Sequence, residues 1–222
     1  MQELKKLAAI KALDFVEDNS IVGIGSGSTV AEFIDVLSKI KHRIAGCVAS
    51  SSVSEKLLKS VGIQVFDLNV VDSVPLIVDG ADEVNANYAM IKGGGGALTR
   101  EKILANVAEK FVCIVDESKF VKRLGDFPVA VEVIPMARGL VGRKLLSLGG
   151  NPQYRQNFVT DNGNIIIDVY GLDLSDIKKM EDLINCIPGV VENGIFAHRL
   201  ADSLIVSGKQ GIKEYHSGSV KI

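Results

Sequence analysis

The segment between Asp79 and Glu101 contains the residue types that proton-transfer chemistry needs. It reads Asp79-Gly80-Ala81-Asp82-Glu83 at one end and Lys92-Gly93-Gly94-Gly95-Gly96-Ala97-Leu98-Thr99-Arg100-Glu101 at the other. Carboxylates accept and donate protons. Four successive glycines allow backbone N–H groups to approach a ligand without side chains in the way. The segment therefore predicts an anion-tolerant loop beside carboxylates.

Glu101 occupies a position where the helical pattern predicts an apolar side chain. At about 100° per residue, it falls within an apolar arc formed by Ala97, Leu98, Ile103, Leu104, Ala105, Val107 and Ala108. On a helical wheel, the opposite, solvated side of this helix contains Thr99, Lys102, Asn106 and Glu109. A glutamate in a first helical turn often does no more than complement the helix dipole. Its place in the apolar arc instead favours a buried carboxylate that acts as a general base.

The elements that must position these residues alternate between strand and helix over about the first 125 residues. Pro75–Val78 is short, apolar and branched, so it predicts a buried strand whose carboxyl end delivers Asp79, at the edge where open α/β sheets bind ligands. The other predicted strands are Ile21–Ile24, Ile44–Ala49, Gln64–Phe66 and Phe111–Val115, and the helices are Thr29–Ile40, Ser54–Val61 and the one from Ala97. Such alternation predicts a doubly wound, Rossmann-like parallel sheet.

The pattern changes after Pro128 to the order β-α-β-β-α-β. The predicted elements are Val129–Ile134, Pro135–Leu148, Tyr154–Thr160, Ile165–Tyr170, Asp176–Ile187 and Val190–Ala197, with a hairpin around Asp161-Asn162-Gly163. This order is typical of a ferredoxin-like unit. Ala201–Gly208 predicts a strand that returns to the first domain. We therefore expect a Rossmann-like catalytic domain, residues 1–127 and 200–222, with an inserted ferredoxin-like α+β domain, residues 128–199.

A second glycine-rich turn, Gly23-Ile24-Gly25-Ser26-Gly27-Ser28-Thr29, lies between the first strand and the next helix. The dinucleotide fingerprint requires glycine and the mononucleotide P-loop requires lysine at the position of Ser28. What remains is a set of backbone N–H groups and hydroxyls at a helix N-terminus, which predicts a site for a single phosphate. A plain strand–turn–helix junction with serine and threonine as caps is an equal alternative on these residues alone.

Composition excludes several classes of partner. The chain has 222 residues, a net charge of −2 and a pI near 6.0, so it lacks the basic surface that nucleic acids or anionic membranes attract. Hydrophobic residues make up 47% and charged residues 23%, which is typical of a soluble globular protein. The N-terminal segment lacks the apolar core of a signal peptide. We expect a cytoplasmic protein whose partner is a small molecule.

The cysteines and histidines form no pattern typical of metal ligands. Cys47, Cys113 and Cys186 are odd in number and far apart, so they are interpreted as buried small residues in a reducing compartment. His42, His198 and His216 are isolated from one another. A metal-dependent enzyme is therefore not expected.

Four motifs together resemble ribose-5-phosphate isomerase of the A type. They are Gly25-Ser26-Gly27-Ser28-Thr29, Asp79-Gly80-Ala81-Asp82-Glu83, Lys92-Gly93-Gly94-Gly95-Gly96-Ala97-Leu98 with Glu101, and Glu132-Val133-Ile134-Pro135. The resemblance covers essentially the whole chain, and residues 209–222 are its least recognisable part. It implies interconversion of ribose 5-phosphate and ribulose 5-phosphate in the pentose phosphate pathway, through an enediolate. It also implies a homodimer that needs neither a metal nor an organic cofactor.

The resemblance further implies a role for individual residues. Glu101 would be the base, Lys92 and Asp82 would bind the oxygens of C1 and C2, with Lys92 as the electrophile, and Asp79 would assist ring opening. The sugar phosphate would contact Lys5, Ser26, Gly27, Ser28, Thr29 and Lys119, while Gly80, Ala81, Gly93, Gly94 and Gly95 would line the substrate pocket.

Two other classes of function remain open at this stage. A non-catalytic sugar-phosphate sensor could use the same phosphate site, but it would not need Glu101 in an apolar arc. An acyl-CoA transferase could share the fold and use a glutamate as a nucleophile. It would need a large nucleotide pocket with basic flanks, which the sequence does not indicate.

Overall fold

The computed structural model describes residues 2–217. Its helices and strands, in chain order, are α1 (Gln2–Ala12), β1 (Ile21–Ile24), α2 (Ser28–Ser38), β2 (Gly46–Ala49), α3 (Ser52–Ser60), β3 (Leu76–Asp79), β4 (Glu83–Val84), β5 (Met90–Ile91), α4 (Leu98–Val107), β6 (Lys110–Asp116), β7 (Val129–Val133), α5 (Arg138–Ser147), β8 (Asn151–Tyr154), β9 (Ile165–Tyr170), α6 (Ile177–Asn185), β10 (Val190–Asn193), β11 (Ile195–Phe196), β12 (Ser203–Gly208) and β13 (Gly211–His216).

A six-stranded sheet with the order β13-β12-β6-β3-β1-β2 forms the centre of one part of the chain. Every neighbouring pair is parallel except β12 with β13. The strand order reverses at β1, and this reversal confirms the predicted doubly wound, Rossmann-like α/β fold. The carboxyl ends of β1, β3 and β6 consequently lie at one edge of the sheet.

Two features of this sheet differ from the sequence-based prediction. The predicted strand Gln64–Phe66 is only an isolated bridge between Val65 and Cys47, because the chain pairs there at a single position. The antiparallel edge strand β13 was not predicted. Most of its residues are exposed, because an edge strand has little of the protein to pack against. The segment therefore lacks the apolar pattern from which a strand is predicted.

Apolar side chains from α1, α2 and the inner strands form the core around this sheet, including Phe33, Leu37, Val78 and Ile114. Cys47 and Cys113 are buried, and burial raises the pKa of the Cys47 thiol to about 12, which is consistent with a packing role. Cys186 is exposed, so the interpretation of all three cysteines as buried was wrong for this one. It follows α6 directly, on the solvated side of the helix end.

A four-stranded antiparallel sheet with the order β10-β7-β9-β8 and the helices α5 and α6 form the ferredoxin-like arrangement. This confirms the predicted α+β part. A 3-10 turn, Pro135–Ala137, precedes α5, and a separate apolar core includes Val131, Leu145 and Ile184.

The hairpin and the last strand of this part differ from their predicted bounds. The first hairpin strand is β8, not Tyr154–Thr160, and residues 155–164 form a long connection because their side chains make contacts other than sheet pairing. The predicted strand Val190–Ala197 is divided at Gly194 into β10 and β11. β11 joins β5 and β4 in a third, three-stranded antiparallel sheet.

The chain forms two compact units. Among the described residues, one contains 2–81, Arg100–Phe120 and 201–217, and the other contains Asp82–Thr99 and Val121–Leu200. The domains expected from sequence differ from these units at residues 82–99, 121–127 and 200. The short strands β4 and β5 account for the first of these differences, because they pair with β11 of the second unit. Within residues 2–217, no helix is long and apolar enough to span a membrane.

Candidate active site

Asp79 lies at the carboxyl end of β3, beside the turn that follows β1. Its side chain is wholly buried, and its Oδ1 accepts hydrogen bonds from the backbone N–H of Ser26 at 3.1 Å and of Gly80 at 2.7 Å. A Cβ atom at Gly25 would lie 1.9 Å from Cγ of Asp79. Glycine is therefore required at position 25 for the turn to approach the carboxylate this closely.

Glu101 lies in the first turn of α4 and is 3% exposed. The hydroxyl of Ser26 donates a hydrogen bond to its Oε1 at 2.6 Å. Ser26 thus contacts both carboxylates, Asp79 through its amide and Glu101 through its hydroxyl. The prediction that Glu101 is buried is confirmed.

The helical wheel that led to this prediction was wrong for other residues of α4. Thr99 and Lys102, assigned to the solvated side, are buried, whereas Ile103 and Val107 are about half exposed. The buried surface of α4 contains polar side chains as well as apolar ones, so an arc drawn through the apolar residues alone is displaced from it.

At the N-terminus of α2, backbone donors lie close to a lysine of α1. The helix begins at Ser28, and Gly27 precedes it with φ of 95°, a conformation that favours glycine. No side chain caps the helix, so its first N–H groups are directed outward from its N-terminus. Nζ of Lys5, on α1, donates to Oγ of Ser28 at 2.8 Å. Donors of this kind bind a phosphate group.

Lys119 ends a 3-10 turn, Glu117–Lys119, that follows β6. It lies at the same edge of the sheet as the ends of β1 and β3, because the three strands are parallel. The side chain of Asp116 accepts from the N–H of Ser118 at 3.0 Å and fixes the start of this turn.

In the second unit, Asp82 directly precedes β4 and Lys92 directly follows β5. The two strands are antiparallel, with Glu83 opposite Ile91, and the N–H of Asp82 donates to the carbonyl of Ile91 at 2.9 Å, so both residues lie at the same end of the β4–β5 pair. Lys92 is 3% exposed, and its Nζ lies 5.6 Å from the centre of the Phe196 ring. An ammonium at this distance from an aromatic face is electrostatically stabilised.

The glycine loop, residues 93–96, follows Lys92 directly. The N–H of Gly96 donates to the carbonyl of Gly93 at 2.9 Å and closes a turn, in which Gly93 has φ of 109° and Gly96 has φ of 77°. The N–H of Gly94 donates to Oδ2 of Asp82 at 2.7 Å. The loop therefore binds one of the candidate catalytic carboxylates.

Several side chains that hold these groups in place were not singled out from the sequence as site residues. Ser54 donates to the carbonyl of Gly25 at 2.6 Å, and Arg155 donates to the carbonyls of Gly93 and Gly94. Glu132 is wholly buried and accepts hydrogen bonds from the side chains of Thr99, Thr160, Asn162 and Asn164. Glu132 belonged to a recognised motif, whereas no sequence signal marked Arg155.

The described residues contain no group of three or more His, Cys, Asp or Glu side chains that could hold a metal ion. His198 contacts one carboxylate, Asp182, at 2.8 Å, and His216 contacts one, Glu214, at 3.1 Å.

The family model of ribose 5-phosphate isomerase A (phosphoriboisomerase A) matches residues 46–211. The chain belongs to the ribose-5-phosphate isomerase A family. This match extends over both units, including the acidic cluster, the glycine loop and the motif around Glu132.

Relatives within the ribose-5-phosphate isomerase A family match nearly the whole chain. Ribose-5-phosphate isomerase A of Legionella pneumophila strain Corby is 61% identical over 212 residues, which cover 96% of this chain and 98% of that protein. The crystal structure of ribose 5-phosphate isomerase A from Neisseria gonorrhoeae superposes with a TM-score of 0.95 at 51% identity, over 97% and 96% of the two chains. A D-ribose-5-phosphate isomerase in complex with phospho-erythronic acid superposes with a TM-score of 0.92 at 40% identity, over 96% and 98%.

Proposed function

We propose that this protein interconverts D-ribose 5-phosphate and D-ribulose 5-phosphate, in the non-oxidative pentose phosphate pathway. The observation that carries the proposal is the buried carboxylate of Glu101, held by the hydroxyl of Ser26 at 2.6 Å. Ser26 lies two residues before the start of α2. A phosphate bound at that helix N-terminus would fix one end of the sugar, and the base would act at the other end.

The proposed base is Glu101. It removes the proton from C2 of the open-chain aldose, and the electron pair forms the C1–C2 double bond of an enediolate, with negative charge on the oxygen of C1. Glu101 then returns the proton to C1, while the hydroxyl proton of O2 passes to O1 and a carbonyl forms at C2. Each step is a proton transfer, so the reaction needs no oxidant or reductant.

Lys92 and Asp82 are proposed to bind the oxygens of C1 and C2. The ammonium of Lys92 would neutralise the enediolate, and its burial would strengthen that interaction, because charges attract more strongly out of water. The backbone of Gly93, Gly94 and Gly95 would contact the same end of the sugar. Asp79, held by two backbone N–H groups, would assist the proton transfers that open the furanose ring.

The phosphate is proposed to bind to the N-terminus of α2. Lys5 and Ser28 are already joined by a hydrogen bond, which places an ammonium beside the helix N–H groups. The contacting residues would be Lys5, Ser26, Gly27, Ser28, Thr29 and Lys119, with Gly80 and Ala81 lining the pocket. The relative solved with phospho-erythronic acid supports a phosphorylated sugar as substrate. The carboxylate of such an acid resembles the two oxygens of an enediolate, a feature of transition-state analogues.

The experiment that tests this function is proton exchange at C2. Purified protein is incubated with ribose 5-phosphate in deuterated water containing EDTA, and the sugars are followed by NMR. We expect ribulose 5-phosphate to form and deuterium to enter at C1 of the ketose and C2 of the aldose. Binding of ribose 5-phosphate without exchange would favour a sugar-phosphate sensor, and exchange only after a divalent ion is restored would contradict metal independence.

We also propose that the protein is a cytoplasmic homodimer, as the family resemblance implies. Large apolar side chains such as Val53, Val70 and Met136 are more than half exposed, and a subunit interface could cover some of them. Sedimentation equilibrium measures the mass directly, and a monomer at micromolar concentration would contradict the homodimer.

A further inference from the structure

Arg155 lies at the start of the long connection between β8 and β9, and its side chain makes four hydrogen bonds. Its Nε and Nη2 donate to the two carboxylate oxygens of Asp168 at 2.8 and 2.5 Å. Its Nη1 donates to the carbonyl of Gly94 at 3.2 Å, and Nη2 also donates to the carbonyl of Gly93 at 3.1 Å. The guanidinium thus joins a carboxylate on a strand to two successive carbonyls of the glycine loop.

The peptide group between Gly93 and Gly94 is held at both ends. Its carbonyl oxygen accepts from Arg155, and its N–H donates to Oδ2 of Asp82. The carbonyl and N–H of a trans peptide point in opposite directions. Arg155 therefore fixes the orientation of the amide that binds Asp82, although the two side chains act on opposite sides of the loop.

The same geometry orients the next peptide group. The carbonyl of Gly94 also points toward Arg155, so the N–H of Gly95 points away from the guanidinium. Gly95 is exposed and has no side chain, so a ligand can approach this amide. Four glycines in a row have little intrinsic conformational preference, and without an external contact the loop would sample many orientations.

Asp168 anchors the guanidinium of Arg155 to a strand of the antiparallel sheet. It lies on β9, between β7 and β8, opposite Ala130 and Gln153. A bidentate contact from this strand fixes the plane of the guanidinium, and Phe158 packs near it, with Cζ of Arg155 5.2 Å from the ring centre. A lysine could not reproduce this contact, since its single ammonium cannot bind a carboxylate and two carbonyls in a fixed plane.

We propose that Arg155 is a positioning residue of the isomerase reaction. It fixes the glycine loop so that the amide of Gly94 holds Asp82 and the amide of Gly95 faces the reacting end of the sugar. This inference rests on the proposed function. Arg155 acts through the loop and does not touch the substrate.

The kinetic test compares Arg155→Lys and Arg155→Met with Arg143→Met, which removes an exposed arginine from α5 in the same unit. We expect kcat to fall roughly 10- to 100-fold in both Arg155 variants, because a misplacement of catalytic groups by about 1 Å can lower the rate by about 100-fold. Inhibition by inorganic phosphate should stay within about twofold of the wild type, since that anion binds at α2. Arg143→Met should leave both quantities unchanged.

Two kinetic outcomes would overturn the proposal. The first is wild-type kcat in either Arg155 variant. The second is a loss of phosphate inhibition as large as the loss in kcat, which would indicate general disruption of the fold.

A second measurement does not depend on activity. In the amide NMR spectrum, Arg155→Met should shift the Gly94 and Gly95 signals and speed their hydrogen exchange, and Asp168→Asn should do so to a smaller extent. Unchanged signals would refute the positioning role even if the wild type is an isomerase. A wild type that binds ribose 5-phosphate without isomerising it would refute the proposed function, and the NMR comparison would still decide whether Arg155 orders the loop.

Discussion

Asp79 of the first unit and the glycine loop of the second are held in place in different ways. Asp79 is bound by the backbone N–H groups of Ser26 and Gly80, at the ends of neighbouring parallel strands. The glycine loop is bound by side chains far away in sequence, such as Arg155. The backbone donors that bind Asp79 depend on the path of the turn, which requires glycine at position 25, whereas a loop held by side chains depends on each of them.

The largest effect on stability is expected where a single side chain accepts hydrogen bonds from several others. Glu132→Ala would leave the buried donors of Thr99, Thr160 and Asn164 without their acceptor, at a cost of about 1–3 kcal/mol for each unsatisfied group. We expect the free energy of unfolding in urea to fall by about 3 kcal/mol or more. Glu55→Ala, which removes an exposed pair with Lys59, should cost at most about 1 kcal/mol. Equal losses in the two variants would show that the Glu132 contacts contribute little.

The backbone-held region is best tested at Gly25. A Cβ at this position would overlap the side chain of Asp79, so Gly25→Ala should displace that carboxylate. We expect kcat to fall by about 10²-fold, the effect of a displacement of about 1 Å. Gly142→Ala is the matched control, because a Cβ there meets no atom within 4 Å. Near-normal kcat in Gly25→Ala would mean that the turn adjusts easily and that the position of the Asp79 carboxylate does not depend on glycine at this position.

The local pattern of the sequence was sufficient to predict the backbone-held region. The strand, turn and helix around Ser26 and the strand ending at Asp79 each lie within one short segment, where apolar runs and glycines indicate the structure. The burial of Glu101 was predicted correctly from a helical wheel that misplaced Thr99 and Lys102.

The arrangement around the glycine loop could not be predicted in this way. Arg155 contacts residues more than 60 positions earlier in the chain, and a single arginine in a loop has no periodic signal. The strands β4, β5 and β11 have two residues each, too few for an alternating pattern. The connection 155–164 contains apolar residues that resembled a strand, but its polar side chains bind Glu132 and the loop instead.

A smaller effect is expected at the proposed phosphate site. Replacing both Ser28 and Thr29 with alanine removes two hydroxyls but keeps the helix N–H groups, so KM for ribose 5-phosphate should rise about tenfold, with a weaker loss in kcat. Inhibition by inorganic phosphate should weaken in parallel. Lys92→Ala should instead lower kcat and leave phosphate inhibition almost unchanged. If phosphate inhibition is lost only in Lys92→Ala, the substrate binds in the opposite orientation.

Deuterium exchange at C2 of ribose 5-phosphate in Glu101→Gln tests most directly whether Glu101 is the base. We expect this variant to bind phospho-erythronic acid within about threefold of the wild type and to exchange the C2 proton at least about 10²-fold more slowly, because general-base catalysis contributes that much or more. Exchange at the wild-type rate in a variant that still binds the acid would contradict the assignment of Glu101 as the base.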